Sequence, residues 1–196
     1  MKILAVSDIH GDLGLVKKVE KMIEKEKVDL VILAGDQTWF EKMKEGLVGP
    51  LTKKPALIVP SNHETEATIK LWEEMYPNLK SIHKKGMKIG DVGFFGSGTV
   101  DWGFEENSRK VFEELKSAHE GIRRVKKKVM ITHCPPEGSA IELMGFPGSY
   151  GIAKAIEKFS PDFLICGHIH EGGGLMEKIK NTQVMNVARS PKIFEI

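Results

Sequence analysis

Five short, unbroken apolar runs punctuate this chain, and each ends in side chains able to hold a metal or move a proton. Residues 3–7 run into Asp8-Ile9-His10, residues 30–35 into Asp36, and residues 56–61 into Asn62-His63-Glu64. Residues 129–132 run into His133, and residues 163–167 into His168-Ile169-His170. Runs of this length, bounded by glycine, proline or polar residues, predict strands buried on both faces.

Between the runs the period changes. Residues 13–27 set Leu15, Val16, Val19, Met22 and Ile23 at helical spacing behind Asp12, a good N-cap. A short helix after Asp36 would use Phe40, Met43 and Leu47. Another over residues 65–76 would share Thr68, Leu71, Trp72 and Met75 on one face and stop at Pro77. Residues 87–89 and 92–95 flank Gly90-Asp91 as a tight hairpin. Residues 106–118 form a helix with Val111, Phe112 and Leu115 inward. Ser149 caps a further helix, lined by Ile152, Ala155, Ile156 and Phe159. The tail, 174–196, reads as two or three strands turning at Asn181 and Ser190-Pro191. Early strands alternate with helices and later ones pair as hairpins, which predicts an α/β protein with mixed sheets covered by helices.

In such sheets the working groups collect beyond the carboxyl ends of the strands. His168 and His170, two apart in extended backbone, would point to the same side, and Gly167 lacks the Cβ that would keep another group away. Carboxylate, carboxamide and imidazole without thiolate suit Mn²⁺, with Fe, Zn²⁺ or Ni²⁺ as alternatives and Mg²⁺ less well matched. Asp8 and His10 could share one metal, with Asp36 bridging two and His168 and His170 serving one each. Two cations ~3.5–4 Å apart hold a hydroxide between them and clamp both oxygens of an in-line displacement, which suits phosphoryl transfer to water.

Composition narrows the field. With 196 residues the chain suits one domain, 1–196, and a formal charge of +2 demands no polyanionic partner. No apolar run approaches the ~20 residues of a membrane span. The first strand begins at Lys2, which leaves no room for a signal peptide and points to the cytoplasm. Cys134 and Cys166 make no disulfide framework and read as reduced thiols. The basic run at 123–128 lacks interleaved aromatics and reads as a solvated turn. His83 and His119 fit no motif. Trp39 and Phe40 are either a wall beside the metals or core, and the long loops at 96–104 and 137–150 set specificity, cover core or make a dimer contact.

Asp8-x-His10, Gly35-Asp36, Asn62-His63-Glu64, His133-x-Pro135-Pro136 and Gly167-His168-x-His170, in that order, resemble the calcineurin-like metallophosphoesterase superfamily. The resemblance implies a four-layer α-β-β-α sandwich, two mixed β-sheets face to face with helices outside. It implies that Asp8, His10 and His170 hold one metal, that Asn62, His133 and His168 hold the other, and that Asp36 bridges them. His63 would protonate the leaving oxygen, and Pro135-Pro136 would fix the backbone after His133. Many members carry a second acid three residues after the bridging aspartate, where this chain has Trp39, so His63 is expected to lean on Glu64 or a backbone carbonyl. Ser61 stands where the family has glycine. No arginine lies beside Asn62 or Asp36 in the sequence, which favours a small phosphate ester over a phosphoprotein. The expected protein is a dinuclear metal-dependent phosphoesterase acting on small phosphate esters, diesters ahead of monoesters, by attack of a metal-bridging hydroxide. Its rivals are a non-catalytic protein-binding scaffold on the same fold and a metal-dependent nuclease. No membrane partner is expected, nucleic acid is not favoured, and a homodimer is left open.

Overall fold

Alternation within the strands sorts the core into three layers. In β1 (Lys2–Val6), Leu4 and Val6 face one way and Ile3 and Ala5 the other. The same division runs through β2 (Leu30–Leu33) and β3 (Ala56–Ile58), so each strand is buried on both faces. This is a computed structural model describing residues 1–144 and 146–196.

One sheet has the order β11-β1-β2-β3-β4, with β4 at Leu79–Ser81 and β11 at Lys192–Glu195. The other has the order β5-β6-β7-β8-β10-β9. Its strands are β5 (Gly86–Ile89), β6 (Val92–Ser97), β7 (Lys127–Thr132), β8 (Phe163–Cys166), β9 (Met176–Ile179) and β10 (Thr182–Asn186). Both are mixed: the central pairs are parallel, while β11, β5 and β9 join antiparallel. Ile3, Ile32, Leu57, Phe94, Ile131 and Ile165 fill the space between the sheets. Helices α1 (Leu13–Lys25) and α2 (Glu66–Met75) cover the outer face of the first sheet. Helices α3 (Glu105–Glu120) and α4 (Tyr150–Phe159) cover that of the second. The four-layer α-β-β-α sandwich is therefore the observed fold.

Local chemistry explains most element ends. Asp12 Oδ1 accepts the N–H groups of Gly14 and Leu15 at 2.9 and 3.1 Å and starts α1. Ser149 Oγ accepts from Ile152 N–H and starts α4. The β5–β6 hairpin turns on Gly90, whose φ of +58° glycine adopts without strain. Among the described residues no helix is long and apolar enough to cross a membrane.

Three expectations need correction. No helix forms after Asp36: Phe40 and Glu41 have φ of +48° and +60°, and Phe40 and Met43 are exposed. The helical bonds lose there to tertiary ones, because Glu41 N–H donates to His63 C=O and Thr38 N–H to Glu64. In α2 the buried residues are Ile69 and Trp72, while Leu71 and Met75 face solvent. β8 ends at Cys166, and His168 takes φ +71°, so the two terminal histidines do not share an extended backbone.

Candidate metal centre

The ends of β1, β2, β7 and β8 meet at one point and deliver a cluster built from most of the expected residues. Asp8, His10 and His170 each offer an atom within 4.8 Å of the others, as do Asp36, His133 and His168. A third group, His10, Asp36 and His63, links the two. Asn62 stands exposed at the edge, lining a groove with His63. His83 and His119 lie elsewhere, hydrogen-bonded to Gly98 and stacked on Phe159 respectively.

The approach is close because the intervening residues are small. A Cβ on Gly167 would lie 2.0 Å from Ser7 Oγ and 2.4 Å from Asp8 Oδ2. One on Gly35 would meet His133 Nδ1 at 2.6 Å. The ligand-bearing turns are themselves unusual: Asp8, His10, Asp36 and His168 all adopt positive φ, at 56°, 49°, 54° and 71°. Backbone in this region is costly for any residue with a Cβ and persists where its surroundings over-determine it.

Ring orientation is fixed from outside. His10 Nδ1 pairs with Thr38 C=O at 3.1 Å and His133 Nδ1 with Ala34 C=O at 2.9 Å, so both carry the proton there and aim the Nε2 lone pair inward. His10 Nε2 then faces His170 Nε2 at 3.1 Å, and His133 Nε2 faces His168 Nδ1 at 3.2 Å. Two lone pairs that close repel unless a cation or proton lies between them. Asp36 Oδ2 is 3.5 Å from His10 Nε2 and 3.5 Å from His133 Nε2, while Asp36 Oδ1 is buried without a partner. An orphaned buried carboxylate oxygen among inward-facing imidazoles fits a cation site.

Charge follows geometry. Burial would raise Asp36, but the charge of His133 and bonds from His133 and Ser61 hold it far below the ordinary carboxylate range. Burial would lower His133, yet Asp36 and Asp8 beside it lift it to about 9. Burial and the His133 charge push His168 down to about 4. Without metal, then, the site holds a proton on His133 at neutral pH. A metal needs the neutral ring, so loading should expel that proton, and affinity should climb with pH until about 9. Calorimetry of Mn²⁺ binding at pH 7.5 in buffers of different ionisation enthalpy should report at least about one proton released per chain, from His133 and in part from His170, which Asp8 also lifts. No buffer dependence would mean that His133 is already neutral.

Two residues act in ways the sequence did not disclose. Glu64, 4% exposed, braces the site from behind. Its Oε1 accepts from Thr38 N–H at 2.5 Å and Thr38 Oγ1 at 2.9 Å, and its Oε2 from Asp36 N–H at 3.1 Å and Ser61 Oγ at 2.7 Å. His63 leans on neither Glu64 nor a carbonyl: its Nδ1 accepts the Phe40 N–H at 3.1 Å. Ser61 keeps φ out of the left-handed region, and its hydroxyl accepts Asp36 N–H at 2.9 Å. The second residue is Arg189. Its N–H bonds Ser7 C=O at 3.0 Å, its Nη2 donates to Asp12 at 2.9 Å, and its charge bears on His170. It lies in a tail loop with no motif to mark it.

The sequence profile described as calcineurin-like phosphoesterase matches residues 1–172. A Caenorhabditis elegans protein of the UPF0046 group is 27% identical, over 98% of this chain and 71% of its own length. The solved structure of TT1561 from Thermus thermophilus superposes with a TM-score of 0.76 at 18% identity, covering 96% of this chain and 90% of that one. A dimetal phosphatase from Danio rerio superposes at 0.62 with 11% identity, covering 95% and 88%.

Proposed function

The chain belongs to the calcineurin-like phosphoesterase family, a metal-dependent family of hydrolases, and from that premise we propose that it is a dinuclear phosphoesterase of small phosphodiesters. The observation that carries the proposal is Asp36, with one oxygen shared between His10 and His133 and the other buried without a partner. The likeness in fold to the dimetal phosphatase from Danio rerio supports the count of two.

In this reading Asp8, His10 and His170 would hold one cation and Asn62, His133 and His168 the second, with Asp36 supplying a carboxylate between the two groups. Mn²⁺ is the expected metal, because the donors are imidazole and carboxylate without thiolate. Two such cations would neutralise the phosphoryl oxygens and acidify a water for in-line attack on phosphorus. The chain's own part is orientation. Thr38 and Ala34 carbonyls fix the tautomers of His10 and His133, and Glu64 fixes the backbone of Asp36. His63 turns Nε2 toward Asp36 Oδ2, 3.8 Å away, and can donate from there to the departing oxygen. Because Nδ1 accepts the Phe40 N–H, the ring carries its proton on Nε2, the nitrogen turned toward the site. The whole chain, 1–196, is read as one domain acting in the cytoplasm.

Metal-stripped protein should regain more activity with Mn²⁺ than with equal Mg²⁺ on methyl 4-nitrophenyl phosphate; full activity with Mg²⁺ alone would count against these ligands. On a leaving-group series in the same assay, His63→Ala should cost little where nitrophenolate leaves and ~10²-fold where an alkoxide leaves. Equal losses along the series would make His63 a phosphate-positioning group, and loss of metal would make it a ligand.

A further inference from the structure

A groove of about 620 Å³ opens from Asn62 and His63 and runs toward α3, with Phe40, Trp102, Asn107 and Lys110 among its walls. Ordinary packing does not account for its two aromatics. Phe40 is 60% exposed with its ring 4.1 Å from that of His63, and Trp102 is 56% exposed with its ring 6.1 Å from that of His168. Neither belongs to a core cluster.

Both are held out by rigid devices. Asp101, 4% exposed, accepts from Ser108 Oγ at 2.5 Å, Ser149 Oγ at 2.6 Å and Gly103 N–H at 3.0 Å, so the backbone on either side of Trp102 is pinned. Upstream, Ser97 and Thr99 hydroxyls each donate to Glu114 at 2.6 Å. Gly98 N–H donates to His83, and a Cβ at Gly98 would lie 1.9 Å from Pro60 C=O, so the floor admits no bulk and little movement. Phe40 keeps positive φ while its N–H is bound to His63. Aromatic rings exposed on fixed backbone beside a reaction centre are preorganised contact surfaces, because little freedom remains to be lost on binding.

Resting on the phosphoesterase reading, we propose that this groove is the subsite for one ester arm of the substrate and selects a planar heteroaromatic arm, of the nucleobase kind, stacked on Trp102. The polar end decides against an aliphatic chain. Asn107 and Lys110, three apart on α3 and so neighbours on its surface, supply an amide and an ammonium that suit ring nitrogens and carbonyl oxygens. A hydrocarbon would desolvate both for nothing.

The test uses Mn²⁺-loaded protein and three diesters with the same 4-nitrophenyl leaving group, whose other arm is methyl, decyl or thymidine 5′. Thymidine should exceed methyl in kcat/KM by ~10-fold or more through KM, the scale of one base–aromatic stack. Trp102→Ala, at an exposed position, should lower that ratio at least ~5-fold with metal content unchanged. Hydrolysis of the methyl ester with a ratio near 1 would overturn the groove and leave the phosphoesterase standing. A decyl arm preferred over thymidine would overturn it in favour of an acyl chain. Hydrolysis of none would fail the diesterase reading instead, and equilibrium binding of thymidine 5′-phosphate against methyl phosphate would then judge the groove alone, equal affinities overturning it.

Discussion

Asp36→Asn should lose both metals together and at least ~10²-fold in turnover, the scale set by disturbing a metal's immediate surroundings. The carboxylate sits 3.5 Å from imidazoles delivered by two different strand ends, and among the described residues it alone is shared by the group with His10 and His63 and the group with His133 and His168. Asparagine keeps the shape but presents an N–H₂ where a cation or an inward lone pair needs an anion. It also removes the charge that lifts His133, so the ring should lose its proton and the pH dependence of metal loading should flatten. Folding should survive, because the Asp36 backbone remains bonded to Ser61 and Glu64. Elemental analysis finding two metals per chain beside near-normal turnover would sink the bridging role.

Glu64→Ala should be the most damaging change outside the proposed ligands. It leaves the Thr38 N–H and the Ser61 hydroxyl without their acceptor in a buried place, at a cost of about 1–3 kcal/mol each. For a chain of this size that lowers Tm by roughly 4–24 °C. Because the same carboxylate holds Asp36 and Thr38, and Thr38 C=O orients His10, metal affinity should fall as well. Glu64→Gln should fall between, since one amide face can still accept from Thr38 while the other opposes the Asp36 N–H. A full drop in Tm with unchanged metal affinity would reduce Glu64 to a packing role.

Strand ends were legible in the sequence because each is written locally: a continuous apolar run, a small residue, then the polar group. Gly167 illustrates this, since its missing Cβ could be read as room for a neighbour and Ser7 and Asp8 occupy that room. The caps of α1 and α4 were equally local. β4 was missed because Leu79-Lys80-Ser81 has no apolar run. The stretch after Asp36 misled because Phe40, Met43 and Leu47 carry helical spacing, while the bonds that decide its shape come from His63 and Glu64 across the fold. Trp39 and Phe40 could be core or wall by sequence; at 50% and 60% exposure they are wall. Arg189 and the brace made by Glu64 depend on contacts between distant segments, and no spacing announces such contacts.

The left-handed turns at Asp8, His10, Asp36 and His168 also bear on how such a chain evolves. Conformations of this kind cost of order 1 kcal/mol or more apiece in a residue with a Cβ, and glycine adopts them without that strain. A lineage released from the need to hold metal would find glycine at any of the four cheap to accept and the original side chain hard to regain. Drift would therefore erase these positions early, before it touched the apolar runs behind them. In any relative of this fold, the residues at these four turns should report whether catalysis is still under selection more sensitively than overall identity does.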